Sequence, residues 1–375
     1  MSALPCPGPL ALPPVTVHPP GQVPTRPARS RSSRALTAAA LAVTVCTGTT
    51  LTGLAPAHAD VTATTTTTVG NAPVGVAITP DGSQAYVPNQ GAGSVSVIAV
   101  ATGLVSRTIP VGNFPSSVAI SPSGALAYVT NVGDDEVSVI NTVTGAVSAT
   151  IPVGLFPTEV AFSPNSKQAY VTNLFDDSVS VINVTTGTVA ATIKLPENSA
   201  PGGVAFSPNG AQAYVTNLFD RSVSVITVAT RKVSRRIQVG TEPGAVAFAP
   251  DGAKAYVTNL RSRSVSVITV ATGKVSSTIA VGYQPSAVAV SPDGAQAYVT
   301  NLGDGTMSVI SLANGTVSTT LTVGNGPLGV AISPNGKKVY VPDADDNAVS
   351  VVSVLAAESV TPPVSVPPLP VRPPN

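Results

Sequence analysis

Between Val61 and Val354 the chain is written in short apolar-rich runs set apart by turn residues, and no stretch shows the spacing of an amphipathic helix. A unit beginning at Val288 reads VAVSP, DGAQ, AYVTN, LGDG, TMSVISL, ANG, TVSTTLTVG. The turn chemistry agrees. SPDG (Ser291–Gly294) and SPNG (Ser207–Gly210) place Pro second and Gly last in a type I turn joining a first strand, a, to a second, b. ATG (Ala271–Gly273) and TTG (Thr185–Gly187) join c to d, with Gly free to take positive φ. Arg231 stands where blade four should have that Gly, at an expected cost of about 1 kcal/mol.

The unit recurs. Tyr86, Tyr128, Tyr170, Tyr214, Tyr256, Tyr298 and Tyr340 are spaced by 42 residues, with one interval of 44. Seven four-stranded units at this period predict an all-β fold, a seven-bladed β-propeller of antiparallel blades. Innermost strand a has Ala in every copy (Ala77, Ala119, Ala161, Ala205, Ala247, Ala289, Ala331), flanked by larger apolar residues, as interlocking sheets near an axis require. The seventh unit lacks its d strand, and Val61–Gly70 (VTATTTTTVG) matches the missing piece. The N-terminal strand is therefore expected to complete the last blade beside Ala348–Val354, hiding the edges of an open ring.

The hexapeptide AYVTNL, exact in four copies, reads as scaffold. Its Tyr is expected between sheets and its Asn at the end of strand b, capping the b–c turn through backbone. Tandem YVTN units with SPDG turns and an SVSVI strand resemble the YVTN-repeat β-propeller family over about residues 61–355, with departures in blades one (YVPN) and seven (YVPD). The resemblance implies an extracytoplasmic propeller, as in bacterial periplasmic and archaeal surface-layer proteins. It carries over no active site.

The ends do not share this pattern. Residues 1–59 contain Arg26, Arg29, Arg31 and Arg34, an apolar run from Ala35 to Val45, and Ala57-His58-Ala59. This is expected to be a signal peptide with a Pro-rich leader, cleaved after Ala59 to give a secreted or envelope-located protein. The propeller should span 60–356. A disordered tail should follow over 357–375, with seven prolines between Thr361 and Asn375. No transmembrane segment is expected in the mature chain.

Cleavage alters the available chemistry. Cys6, Cys46, His18 and His58 leave with the leader, the chain has no Trp, and 15 Lys+Arg against 18 Asp+Glu leave a net charge of −3. Imidazole-ligated copper and histidine-based catalysis are excluded. Net negative charge argues against nucleic acid as the main partner.

What varies is in the b–c and d–a loops, which open on one face. The binding residues expected there are Phe156, Phe175, Asp176, Asp177, Glu197, Asn198, Phe219, Asp220, Arg221, Arg261 and Arg263, with Glu159 at the channel mouth. Lys194–Pro201 (KLPENSAP) is longer than its counterparts and lacks their VG. The expected protein is a monomeric binding or structural module for a protein, wall glycan or polyanion, with no catalytic residue, metal ligand or cofactor assigned. A carboxylate- or Ca²⁺-dependent lactonase-like hydrolase built on Glu159 is the alternative. Its six equivalents are Gly75, Ser117, Gly203, Ala245, Ala287 and Gly329.

Overall fold

The computed structural model describes residues 61–354, with side chains from 64 onward. The expected signal peptide, its cleavage site, the proline-rich tail, both cysteines and both histidines lie outside the described residues. Over the described range the chain forms seven four-stranded antiparallel sheets. Blades one to six are continuous in sequence, starting at Ala77, Pro115, Pro157, Pro201, Pro243 and Pro285. The seventh takes its outer strand from the start of the ring. Val61–Thr68 pairs antiparallel with Ala348–Val354, from Val61 opposite Val354 to Thr68 opposite Ala348, with one bulge between Thr62 and Thr64. No helix among the described residues is long and apolar enough to cross a membrane.

The core lies between blades. Each motif Tyr is almost wholly buried and packs on the following blade. Tyr128, Tyr170 and Tyr214 meet Phe162, Phe206 and Phe248, from strand a of the next blade, with ring centroids 4.6 to 4.7 Å apart. Tilted and edge-on aromatic pairs of this kind add to the area they bury.

The motif Asn does something other than cap the b–c turn. Asn173 Nδ2 donates to Ser178 Oγ (3.0 Å) and Ser180 Oγ (2.9 Å) of strand c, while its Oδ1 accepts the Gly154 N–H (3.2 Å) of the d–a loop. Asn89 and Asn259 repeat this bridge. Strand c offers hydroxyls beside the amide, so the side chain links loop to strand across a buried site.

The motif Thr stitches neighbouring blades. Thr216 Oγ1 accepts the Gly203 N–H of its own strand a (2.7 Å) and donates to Gly244 O of the next blade (2.6 Å). Thr130, Thr172, Thr258 and Thr300 make the same two links. Blades one and seven have Pro88 and Pro342 at this position, without a hydroxyl. Their strands a shrink to Ala77–Ile78 and Ala331–Ile332, against six residues in the other blades.

Candidate binding face and central channel

The upper face carries the b–c and d–a loops. Their carboxylates hold backbone in place. In one set the b–c side chain reaches back to its own blade's d–a loop: Asp134 Oδ2 accepts from Asn113 N (2.7 Å), Asp176 Oδ2 from Leu155 N (2.8 Å), Asp304 from Tyr283 N and Asp346 Oδ2 from Asn325 N (2.6 Å). The other set reaches forward to the next blade. Asp135 Oδ1 accepts from Phe156 N (2.8 Å), and Asp177 binds Asn198 N (2.7 Å) and Ala200 N (2.8 Å) with its two oxygens. These bonds hold Asp134 and Asp346 below the usual carboxylate range, because they favour the ionised form.

The predicted site residues therefore do not converge. Asp176 and Asp177 are loop pins rather than free ligands. Asp220 pairs with Arg236 on the outer strand and accepts from Ser222 Oγ (2.6 Å). Arg261 pairs with Glu242 (2.6 Å), and Arg263 lies over the Tyr283 ring, 4.5 Å from its centroid. Glu197 is exposed. The long loop containing it is folded on itself: Ser199, wholly buried, donates to Pro196 O (2.5 Å), and Asn198 is left-handed at φ 60°. Arg221, also left-handed at φ 53°, projects from a b–c loop.

What the face does present is apolar. Phe114, Leu155, Phe175, Phe219 and Tyr283 are between 41% and 68% exposed, all on upper-face loops. Phe156, half-buried, packs its ring 4.6 Å from that of Phe175. Leaving such side chains in water forgoes about 1.5–3 kcal/mol of burial each, and loops so firmly pinned hold them in fixed positions. Leu155 escaped sequence reasoning, though a Leu in a d–a loop whose other VG copies continue with Asn, Thr or Tyr was the available signal. The other exposed large apolar residues, Leu104, Val143 and Val147, belong to the c–d turns and outer strands of blades one and two.

Glu159 stands apart, in the central channel. The cavity, of about 300 Å³, is lined by residues in or just before strand a of all seven blades, among them Gly75, Ser117, Gly203, Ala245, Ala287 and Gly329, as their equivalence to Glu159 requires. Glu159 Oε2 accepts the Val204 N–H (3.1 Å). The surrounding protein pushes its carboxyl up to about 7, only partly offset by that bond. Gly203 is obligatory here: a Cβ would meet Gly244 O at 2.6 Å and Glu159 Oε2 at 3.0 Å. Among the described residues no three His, Cys, Asp or Glu stand together, and Glu159 is the lone carboxylate on the channel wall. This donor set does not fit a Ca²⁺ ion, which takes six to eight oxygens, usually with several carboxylates.

Residues 156–360 match the family described as lactonase, 7-bladed beta-propeller. Among solved structures, one titled Kuenenia stuttgartiensis Hydrazine Synthase is 24% identical and superposes with a TM-score of 0.69, over 75% of this chain and 95% of that one. At that identity the likeness concerns the fold. No curated protein matches.

Proposed function

The chain belongs to the lactonase seven-bladed β-propeller family, and we propose that within it this protein is an exported binding module of the cell envelope. Its partner, a protein or wall glycan, engages the upper face. The finer placing among YVTN-repeat propellers is part of the proposal, supported by five YVTN copies in register. One observation carries the function: five large apolar side chains exposed on one face, on loops pinned by hydrogen-bonded carboxylates. Pre-set apolar anchors with a polar rim are what a partner surface needs. A photo-reactive phenylalanine at Phe175 or Phe219 tests this in intact envelopes, with the same probe at Val143 on the opposite face as control. Crosslinks to one species from the upper positions alone support the reading; equal yields from Val143 sink it. Secreted material beginning at Asp60 would establish the export step.

A second reading rests on Glu159. A carboxyl titrating at about 7 is half ionised near neutral pH, which suits it to take a proton from an attacking water. Water would add across the ring ester of a small lactone, releasing the hydroxy acid. No step is routed through a metal, given the single carboxylate. A pH-stat assay of residues 60–375 against γ-butyrolactone and gluconolactone decides it. Turnover that disappears in Glu159→Gln supports the hydrolase; no turnover, or turnover unchanged in the variant, removes it.

A further inference from the structure

The lower face, formed by the a–b and c–d turns, holds two clefts of the same construction on either side of blade four. The first, about 440 Å³, runs between blades three and four and is lined by Ser163, Asn165, Lys167, Gln168 and Arg231. The second, about 390 Å³, runs between blades four and five and is lined by Ser207, Asn209, Gln212 and Arg235, together with Asp251.

Charge is concentrated around these clefts. Residues 201–280, blades four and five, have nine Lys and Arg against three Asp and Glu, a surplus of six positive charges. The rest of the described chain has five against thirteen, a surplus of eight negative charges. Two ion pairs form among the described residues, Arg236 with Asp220 and Arg261 with Glu242, so Lys167, Arg231 and Arg235 have no carboxylate within ion-pair distance.

The polar groups in the clefts are unequally satisfied. Asn165 Oδ1 accepts from Ser163 Oγ (2.8 Å) and Lys167 N (3.0 Å), and Asn209 Oδ1 accepts from Ser207 Oγ (2.8 Å) and Ala211 N (3.0 Å). The oxygens are occupied within the turns, which leaves each Nδ2 as a donor. Gln168, in the lining of the first cleft, has its Oε1 buried without a partner, and the hydroxyl of Tyr170, wholly buried and outside that lining, has none either. Tyr86 and Tyr298 instead donate to Gln84 and Gln296 of their own strands. Arg231 lies close enough to Tyr170 for its charge to oppose the upward effect of burial on that hydroxyl. Arg231 is also held left-handed, at φ 56°, where the equivalent turns have Gly187 and Gly273.

We propose that the two lower-face clefts flanking blade four form one binding track for an acidic glycan, a sugar chain bearing carboxylate, sulfate or phosphate groups. Its anionic groups meet Lys167, Arg231 and Arg235 and the amide donors of Asn165 and Asn209. Nucleic acid fits less well, since the exposed aromatic side chains that would stack bases lie on the upper face. The site is independent of the upper-face reading.

The test measures binding of polygalacturonate and dextran sulfate to residues 60–375 by calorimetry, with neutral dextran and a thymidine oligonucleotide as comparators. The variant is Lys167→Ser, Arg231→Gly and Arg235→Thr combined. The last two restore residues found at equivalent positions in other blades, Gly273 and Thr319, and an unchanged melting temperature verifies the fold. Expected are binding of at least one acidic glycan, at least a tenfold loss with a shallower salt dependence in the variant, and no change in Phe175→Ser/Phe219→Ser. Variant binding equal to wild type, no binding of either acidic glycan, or oligonucleotide binding as tight as the glycans would overturn the proposal.

Discussion

Blades two to six and the two blades that meet at the seam solve the same packing problem with different chemistry. In the interior blades a Thr hydroxyl joins an amide of its own strand a to a carbonyl of the next blade, as Thr216 joins Gly203 to Gly244. At the seam Pro342 cannot make that link, Pro88 leaves the junction of blades one and two without it as well, and blade seven has Asp343 where other blades have Asn. The seam is instead held at its outer edge. Val61–Thr68 is zipped to Ala348–Val354, and Asn347 Oδ1 accepts the Ala72 N–H (2.9 Å) across the chain ends. Every inner stitch that is made joins blades continuous in sequence, from blade two through to blade seven, whereas the junction closed by a returning strand has its cohesion on the rim.

If that division is right, the rim strand matters most. Deleting residues 61–68 removes a seven-pair ladder and exposes the edge of Ala348–Val354. The melting temperature should fall by more than about 10 °C, as several kcal/mol would require in a protein of this size. A melt unchanged by the deletion would mean that blade seven does not need its fourth strand.

Thr216→Val is the second-largest effect. The isosteric change leaves the Gly203 amide and the Gly244 carbonyl without their shared partner. Gly203 is buried, so the cost should be about 2–4 kcal/mol, or roughly 5–10 °C. A loss below about 1 kcal/mol would place the interblade cohesion in the Tyr and Phe packing alone.

Much of this was legible in the sequence, and the illegible part has a common cause. The 42-residue spacing of the tyrosines and the match between Val61–Gly70 and the other d strands gave blade number and closure, because both are written as repeated patterns. Residue chemistry that depends on a partner elsewhere in the ring was not readable. Asp176 and Asp177 looked like candidate ligands because their partners, Leu155, Asn198 and Ala200, are more than twenty residues away. The Asn bridge was missed for a related reason: its acceptor side meets a loop from the preceding connection. Glu159 is the opposite case. Its isolation among Gly, Ala and Ser equivalents could be read by aligning the copies, and the channel lining agrees.

Asp343 gives a pH-dependent difference between the seam and the other blades. It is wholly buried, with Oδ1 accepting from Gly324 N (3.1 Å) and Oδ2 from Ser350 N (3.0 Å) and Oγ (2.7 Å). Burial pushes its carboxyl up to about 6, from 3.8, against the effect of those bonds. A folded-state pKa raised in this way favours the fold while the group is protonated. The contribution is complete below about pH 4 and is lost as pH rises through 6. Relative to Asp343→Asn, the native protein should lose about 2–3 kcal/mol between pH 4 and 7, seen as melting curves that diverge by roughly 5 °C. Parallel curves would show that Asp343 is ionised in the fold at little cost.

The smallest expected change is a gain, from Pro88→Thr. A hydroxyl placed at 88 by the geometry of the interior blades would accept the Gly75 N–H and donate to Ser116 O, extending strand a beyond Ala77–Ile78. Two hydrogen bonds contribute about 1 kcal/mol each, and loss of the ring's restraint on the unfolded chain takes back about half of that. The net gain should be about 1 kcal/mol, some 2–3 °C. It is smaller than the loss in Thr216→Val for a physical reason: Gly75 is only half-buried, whereas Gly203 is buried. Water in the channel has access to the seam residue, so the Gly75 amide stands to lose less by going unlinked. A gain equal to the Thr216→Val loss would show that the seam amide is as dry as its interior counterpart, and hydrogen exchange at Gly75 and Gly203 would separate the two cases directly.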